Sequence, residues 1–283
     1  MSARTPVVLT IAGSDSGGGA GIQADLKAFA SQGVHGTSAI TAITAQNTLG
    51  VDAVHSLPPQ IVLAQVRSVL SDLAPAAVKV GMLGSEQVTR AVAAALDELP
   101  AGTPVVVDPV MVAESGARLL EPGAQLALVE EILPRASVLT PNLLEACALL
   151  GEDPQTVESV EDEQAGELAS GVLALGPAAV VLTGGHRTHA TDVLVRRGVA
   201  GAVVIEGPRH AEGAAHGSGC THSSVLAARL ALGDDLEQAA RAARHAAGEA
   251  VMRGLRELGA GAGPVDAIGL RAVRERSADR RKL

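Results

Sequence analysis

The run Val7-Val8-Leu9-Thr10-Ile11-Ala12 passes directly into Gly13-Ser14-Asp15-Ser16-Gly17-Gly18-Gly19-Ala20-Gly21, and this into Ile22-Gln23-Ala24-Asp25-Leu26-Lys27-Ala28-Phe29-Ala30-Ser31. A short, nearly continuous apolar stretch predicts a strand covered on both faces, Val7 to Ile11. The glycines predict a tight connection, and the pattern from Gly21 to Ser31 predicts a helix. Strand, glycine-rich loop and helix in that order is one unit of an α/β sheet.

The same alternation continues outward from this unit. Strands are expected at Ser38 to Thr44, Ala77 to Val80, Val105 to Val107, Ser137 to Leu139 and Ala179 to Leu182. Helices are expected at Pro59 to Asp72, Ser85 to Glu98, Pro122 to Leu133, Leu143 to Leu150 and Asp162 to Leu175. Ser85 can cap the amides that follow it, Pro122 suits a first helical position, and Asn142 with Glu145 resembles a capping box. Later, Thr191 to Arg196 and Ala202 to Ile205 flank Arg196-Arg197-Gly198 as a hairpin, followed by helices Cys220 to Leu232 and Leu236 to Leu258. The whole reads as α/β: a three-layer α/β/α sandwich with a mostly parallel central sheet. With no internal repeat and no linker, residues 1–270 are expected to form one domain, and 271–283, with Arg271, Arg274, Arg276, Arg280, Arg281 and Lys282, a basic tail.

Composition narrows the function. The chain has 283 residues, a formal net charge of −9, one Phe and neither Tyr nor Trp. A net negative chain without aromatic stacking platforms disfavours nucleic acid as a partner. Cys147 and Cys220 stand far apart with no zinc spacing, which fits a reducing cytoplasm. Leu168 to Gly185, the longest uncharged stretch, is broken by Gly176-Pro177, so no membrane span is expected.

In open α/β sheets ligands bind beyond the carboxyl ends of the strands, and two loops there stand out. Gly13 to Gly21 can bring backbone amides close to a ligand. It is not a Walker loop, because Gly19 stands where lysine is required, and no G-x-G-x-x-G register fits; alone it equally fits an unliganded turn. His216-Gly217-Ser218-Gly219-Cys220-Thr221 opens a helix, whose unpaired amides and positive dipole end suit a phosphate or oxyanion. The Cys220 thiol is expected to have a lowered pKa there and to serve as a base. Cys147 reads as an inert buried thiol. Asp108, ending its strand, and Glu145, one turn into its helix, would project over the same sheet edge, where a hydrated Mg²⁺ needs one or two acids; Glu145 also fits a plain capping role.

These stretches carry a resemblance. Thr10 to Lys27, Ala45-Gln46-Asn47-Thr48, Lys79-Val80-Gly81-Met82-Leu83, Asp108-Pro109-Val110-Met111-Val112-Ala113, Thr140-Pro141-Asn142-Leu143-Leu144-Glu145-Ala146 and His216 to Thr221 resemble, in order, the hydroxymethylpyrimidine/phosphomethylpyrimidine kinases of thiamine synthesis, within the ribokinase-like superfamily. The resemblance implies phosphorylation by ATP of 4-amino-5-hydroxymethyl-2-methylpyrimidine and then of its monophosphate. Cys220 would take the alcohol proton, and the amides of Gly217, Ser218, Gly219 and Cys220 would stabilise the transferring phosphoryl group. Gln46 would pair with the aminopyrimidine edge, and Gly13, Asp25, Met82 and Val110 would complete the pocket. Asn142, Thr183 and Gly185 fall to the nucleotide, Asp108 and Glu145 to Mg²⁺, and a homodimer is suggested.

Three positions depart from the family pattern. Glu114 stands in a block that usually reads V-A-K-S-G, Thr183 replaces a lysine before Gly184-Gly185-His186, and Glu212-Gly213-Ala214-Ala215-His216-Gly217 replaces T-K-N-T-H-G. Each removes positive charge from the phosphate side, where Arg187 or Arg209 could substitute. Two other readings stay open: a pyridoxal or pyridoxine kinase on the same scaffold, against which Ala45-Gln46-Asn47 argues, and a ribokinase-like ligand-binding protein with weakened catalysis.

Overall fold

Side chains along the apolar strands alternate between two cores, as a sheet covered on both sides requires. In β1 (Val7–Asp15), Val8 joins one core while Leu9 and Ile11 join the other. The computed structural model describes residues 4–112, 116, 119–153, 162–185, 190–210 and 213–270. Glu114, His186, Arg187, Glu212 and the basic tail from Arg271 onward lie outside the described residues.

The first core is roofed by α1 (Gly21–Ser31), α7 (Ser218–Ala231) and α8 (Leu236–Met252). The second lies under α2 (Pro59–Asp72), α3 (Glu86–Leu96), α4 (Pro122–Ala127), α5 (Leu143–Leu150) and α6 (Asp162–Leu173). Between them, β2 (His35–Gln46), β3 (Val51–Ser56), β4 (Ala77–Val80), β5 (Val105–Val107), β6 (Val138–Leu139), β7 (Ala179–Leu182), β8 (Asp192–Arg196) and β9 (Val203–Ile205) join β1 in one sheet of order β3-β2-β1-β4-β5-β6-β7-β8-β9. Pairing is parallel from β2 to β7 and antiparallel at β3, β8 and β9. This is the three-layer, mostly parallel sandwich that the sequence predicts.

Three details differ from the sequence reading. β3 was not anticipated; it pairs only with β2, and five of its six residues are exposed, so no apolar pattern marks it. The helix expected from Pro122 to Leu133 is α-helical only to Ala127, continuing as a π turn over Leu128–Ile132 and a 3₁₀ turn over Leu133–Arg135. Pro134 has no N–H to donate, and its ring crowds the carbonyl four residues earlier, which favours the wider turn. The last helix stops at Met252 rather than Leu258, because Gly254 packs on Ala214 and Leu255 N–H donates to the Pro264 carbonyl (2.8 Å).

The topology places the site. From β1 the chain builds β2 and β3 on one side and then crosses to β4 on the other. The strand order therefore reverses at β1, and the loop leaving its carboxyl end opens at the crevice where such sheets bind ligands. That loop is the glycine-rich turn.

Candidate active site

Asp15 organises the glycine loop from its own strand end. One carboxylate oxygen accepts from Gly17 N–H (2.7 Å) and the other from Gly19 N–H (2.9 Å) and Ala20 N–H (2.8 Å). His216 Nε2 lies 3.3 Å from the second oxygen. Burial alone would raise this carboxyl, but His216 and the loop amides outweigh it and hold Asp15 below the usual carboxylate range.

His216 precedes the second glycine loop, and the two loops touch. Gly217 has φ +83°, a left-handed conformation, and a Cβ there would overlap the Gly19 carbonyl oxygen. A Cβ on Gly19 would in turn overlap the His216 ring. Only glycine permits this approach. The N-termini of α1 and α7 consequently converge, and the Gly21 N–H is hydrogen-bonded to the Cys220 sulfur.

The expected lowering of the Cys220 pKa is corrected by its surroundings. Burial pushes the thiol up to about 12, and Asp108 and Asp25 add to the rise, while Lys79 and the Gly21 amide act against it. The helix N-terminus does not overcome the loss of water around the sulfur.

Lys79 is the residue that sequence reasoning missed. It is fully buried in β4, 3.0 Å from Asp25 and 3.7 Å from Asp108, and these carboxylates hold its pKa above the ordinary lysine range despite its burial. Asp25, expected in the substrate pocket, has no exposed surface here: Thr10 Oγ1 (2.6 Å), Ser224 Oγ (2.7 Å) and Lys79 Nζ meet its carboxylate. It ties β1, β4 and α7 together beneath Cys220. The available signal was a lysine within a strand covered on both faces, a position that demands a buried partner.

Asp108 caps β5 and accepts from Ser223 Oγ (3.0 Å), and burial raises its pKa despite Lys79 and Ser223. Glu145 completes the expected capping box, accepting from Asn142 N–H (2.9 Å) while Asn142 Oδ1 accepts from Glu145 N–H (2.9 Å). Burial first, and the Asp108 charge second, push Glu145 up to about 8. Two buried acids, one raised further by the charge of the other, suit a divalent cation that keeps water and phosphate oxygens as its other ligands. No cluster of three or more ligating side chains occurs among the described residues. Asn142 bridges to Thr183, whose N–H donates to the Pro141 carbonyl (2.8 Å), and the exposed Gly185 follows.

The family model for phosphomethylpyrimidine kinase matches residues 15–266. The chain belongs to the phosphomethylpyrimidine kinase family. It is 47% identical over 272 residues to the hydroxymethylpyrimidine/phosphomethylpyrimidine kinase of Rhizobium meliloti, covering 92% of this chain and 96% of that protein. The crystal structure of phosphomethylpyrimidine kinase from Clostridium difficile superposes with a TM-score of 0.72 at 38% identity, over 85% of this chain and 96% of that one. The ADP complex of Bacillus subtilis pyridoxal kinase superposes with a TM-score of 0.83 at 35% identity, over 95% and 100% of the two chains.

Among the residues expected on the acceptor side, Gly13 and Met82 meet, and Gln46 is held by its neighbours. A Cβ on Gly13 would sit 2.9 Å from Met82 Cε, so these two residues share one surface. Ser16 Oγ donates to the Gln46 carbonyl (2.7 Å) and accepts from Gln46 N–H (2.8 Å). Thr44 Oγ1 lies 3.2 Å from Gln46 Oε1, orienting the amide, and the half-buried Val110 N–H donates to the Asp108 carbonyl (2.8 Å). Of the two suggested replacement cations, Arg209 is exposed and Arg187 lies outside the described residues.

Proposed function

We propose that this protein transfers the γ-phosphoryl group of ATP to the hydroxymethyl group of 4-amino-5-hydroxymethyl-2-methylpyrimidine, and then phosphorylates the resulting monophosphate. The observation that carries this reading is the contact between the loops at Gly19 and Gly217, which sets the loop bonded to Gln46 through Ser16 against the loop that opens α7 at Cys220. Gln46 offers a donor and an acceptor in one plane to the aminopyrimidine edge, and Gly13, Met82 and Val110 supply a non-aromatic bed for its ring. Cys220 Sγ takes the hydroxyl proton as the alcohol oxygen bonds to phosphorus and ADP leaves. The Gly217, Gly219 and Cys220 amides would face the migrating charge, whereas the Ser218 N–H, also expected there, is already given to the Ala215 carbonyl (2.9 Å); positioning with electrostatics is what phosphoryl transfer chiefly needs.

Asn142, Thr183 and Gly185 fall on the nucleotide side, and Asp108 with Glu145 would hold Mg²⁺. Bound there, Mg²⁺ would neutralise charge on the phosphate oxygens. The reading includes a homodimer working in the cytoplasm; the two unpaired cysteines fit the reducing compartment. No helix among the described residues is long and apolar enough to cross a membrane.

The test is phosphate transfer by purified protein with Mg-ATP to the pyrimidine and, side by side, to pyridoxal. The likeness to a pyridoxal kinase makes the second acceptor the relevant rival. Preference for pyridoxal by about tenfold would overturn the substrate assignment. Binding of the pyrimidine without transfer would overturn the catalytic one.

A further inference from the structure

We infer that Asp15, Ser16 and His216 form a clasp that sets the distance between the acceptor-binding side and the anion hole, so that these three are positioning residues for the transfer. The inference rests on the functional reading above. Ser16 holds the Gln46 backbone by its paired hydrogen bonds of 2.7 and 2.8 Å. Its neighbour Asp15 holds the loop amides and reaches His216 Nε2 at 3.3 Å. His216 immediately precedes Gly217, the first amide of the anion hole. An unbroken path of four residues, Gln46, Ser16, Asp15 and His216, therefore links the heterocycle grip to the phosphoryl site.

Two further observations show that the path is built rather than incidental. Asp15 is nearly buried, at 3% exposed, yet His216 and the loop amides that point their hydrogens at it hold its carboxyl below the usual range. The His216 backbone is fixed from behind, bridging to Pro264 while its carbonyl accepts from Val265 N–H (3.1 Å), so its Cα stays anchored if the glycine loop moves. The Gly17 and Gln46 backbones also meet, a Cβ on Gly17 lying 3.3 Å from the Gln46 carbonyl oxygen. Loss of the Asp15–His216 contact should shift the anion hole against the bound alcohol, and a displacement of about 1 Å at such a centre costs about 10²-fold in rate.

The test separates the two ends of the clasp. Asp15→Asn puts an amide donor against the loop N–H groups, and His216→Gln removes the ring while leaving Asp15 in place. Each is expected to lower kcat by about 10²-fold with the KM for the pyrimidine little changed. Ser16→Ala, which frees the Gln46 backbone, is expected to raise that KM with kcat little changed. Because Asp15 and His216 act as a unit, the double variant should lose no more than either single one. Multiplied losses, or changes in kcat and KM that track thermal stability alone, overturn the inference. Amide hydrogen exchange supplies a readout independent of turnover: His216→Gln should speed exchange over residues 17–20 and 218–221 together, and acceleration in one loop only would overturn the coupling. If the wild-type protein transfers nothing to the pyrimidine, the functional reading fails, and the exchange experiment still decides the clasp.

Discussion

At the half-buried Cys220 the protein surroundings oppose the charge a base requires. With the thiol pushed up to about 12, only a small fraction is thiolate near neutrality, but that thiolate is a strong proton acceptor. The active form is the deprotonated one, so kcat/KM, which reports the free enzyme, should rise about tenfold per pH unit from pH ~6 to ~9. A plateau below pH ~8 would show that another group sets the rate. Cys220→Ala should lower kcat by about 10²- to 10⁴-fold with the fold intact by circular dichroism. Lys79 makes a separate prediction. Lys79→Met leaves Asp25 and Asp108 without their shared cation, and breaking such a buried pair costs about 3–5 kcal/mol, to be measured by denaturant unfolding. Unchanged stability would mean that the two carboxylates take up protons at no cost. The sequence displays Lys79 inside a covered strand, but Asp25 stands 54 positions away, so neither periodicity nor spacing reveals which charge it meets.

Elements whose causes are local were legible, and those whose causes are distant were not. The capping box at Asn142 and the cap at Ser85 span three residues each, and both form as expected. Strands β4, β5 and β7 and helices α1, α2 and α5 keep their expected bounds because apolar runs and local caps such as Asn142 and Pro59 define them. The β3 strand escaped because it is held by pairing with β2 rather than by burial. The premature end of α8 follows from contacts with Ala214 and Pro264, which no local pattern encodes. Caps also allow stability and activity to be separated. Asp235 caps α8 by accepting from Gln238 N–H (2.9 Å), far in sequence from the cleft residues, whereas Asn142 caps α5 and bridges to Thr183. Replacement of either by Ala should cost about 1 kcal/mol in unfolding free energy. Asp235→Ala should leave turnover unchanged, while Asn142→Ala should also raise the KM for ATP; equal kinetic effects from both would remove Asn142 from the nucleotide side.

For the molecule as a whole, one topological event decides most of the geometry: the reversal of strand order at β1, which brings the loops after β1, β2, β4, β5 and α7's entry to one edge. The sequence shows the alternation of strand and helix but not the strand order, so the two glycine loops were legible as candidate sites from their placement after strands, while their contact with each other was not. The ribbon of β2 and β3 projects beyond this edge with little cover. Ile43 is 48% exposed, Val54 44% and Leu49, at the turn, 68%. An edge strand with free N–H and C=O groups beside apolar side chains is prone to pair, and a second copy of the chain is the proposed occupant. Sedimentation should therefore give the mass of two chains. Val54→Lys, which places a charge on that ribbon, should shift the protein to one chain without unfolding it. Because β2 ends in Gln46, freeing the ribbon should also raise the KM for the pyrimidine while kcat, set at Cys220, changes less. A wild-type monomer, or a Val54→Lys dimer with unaltered KM, would show that the ribbon neither joins two copies nor steadies the glutamine.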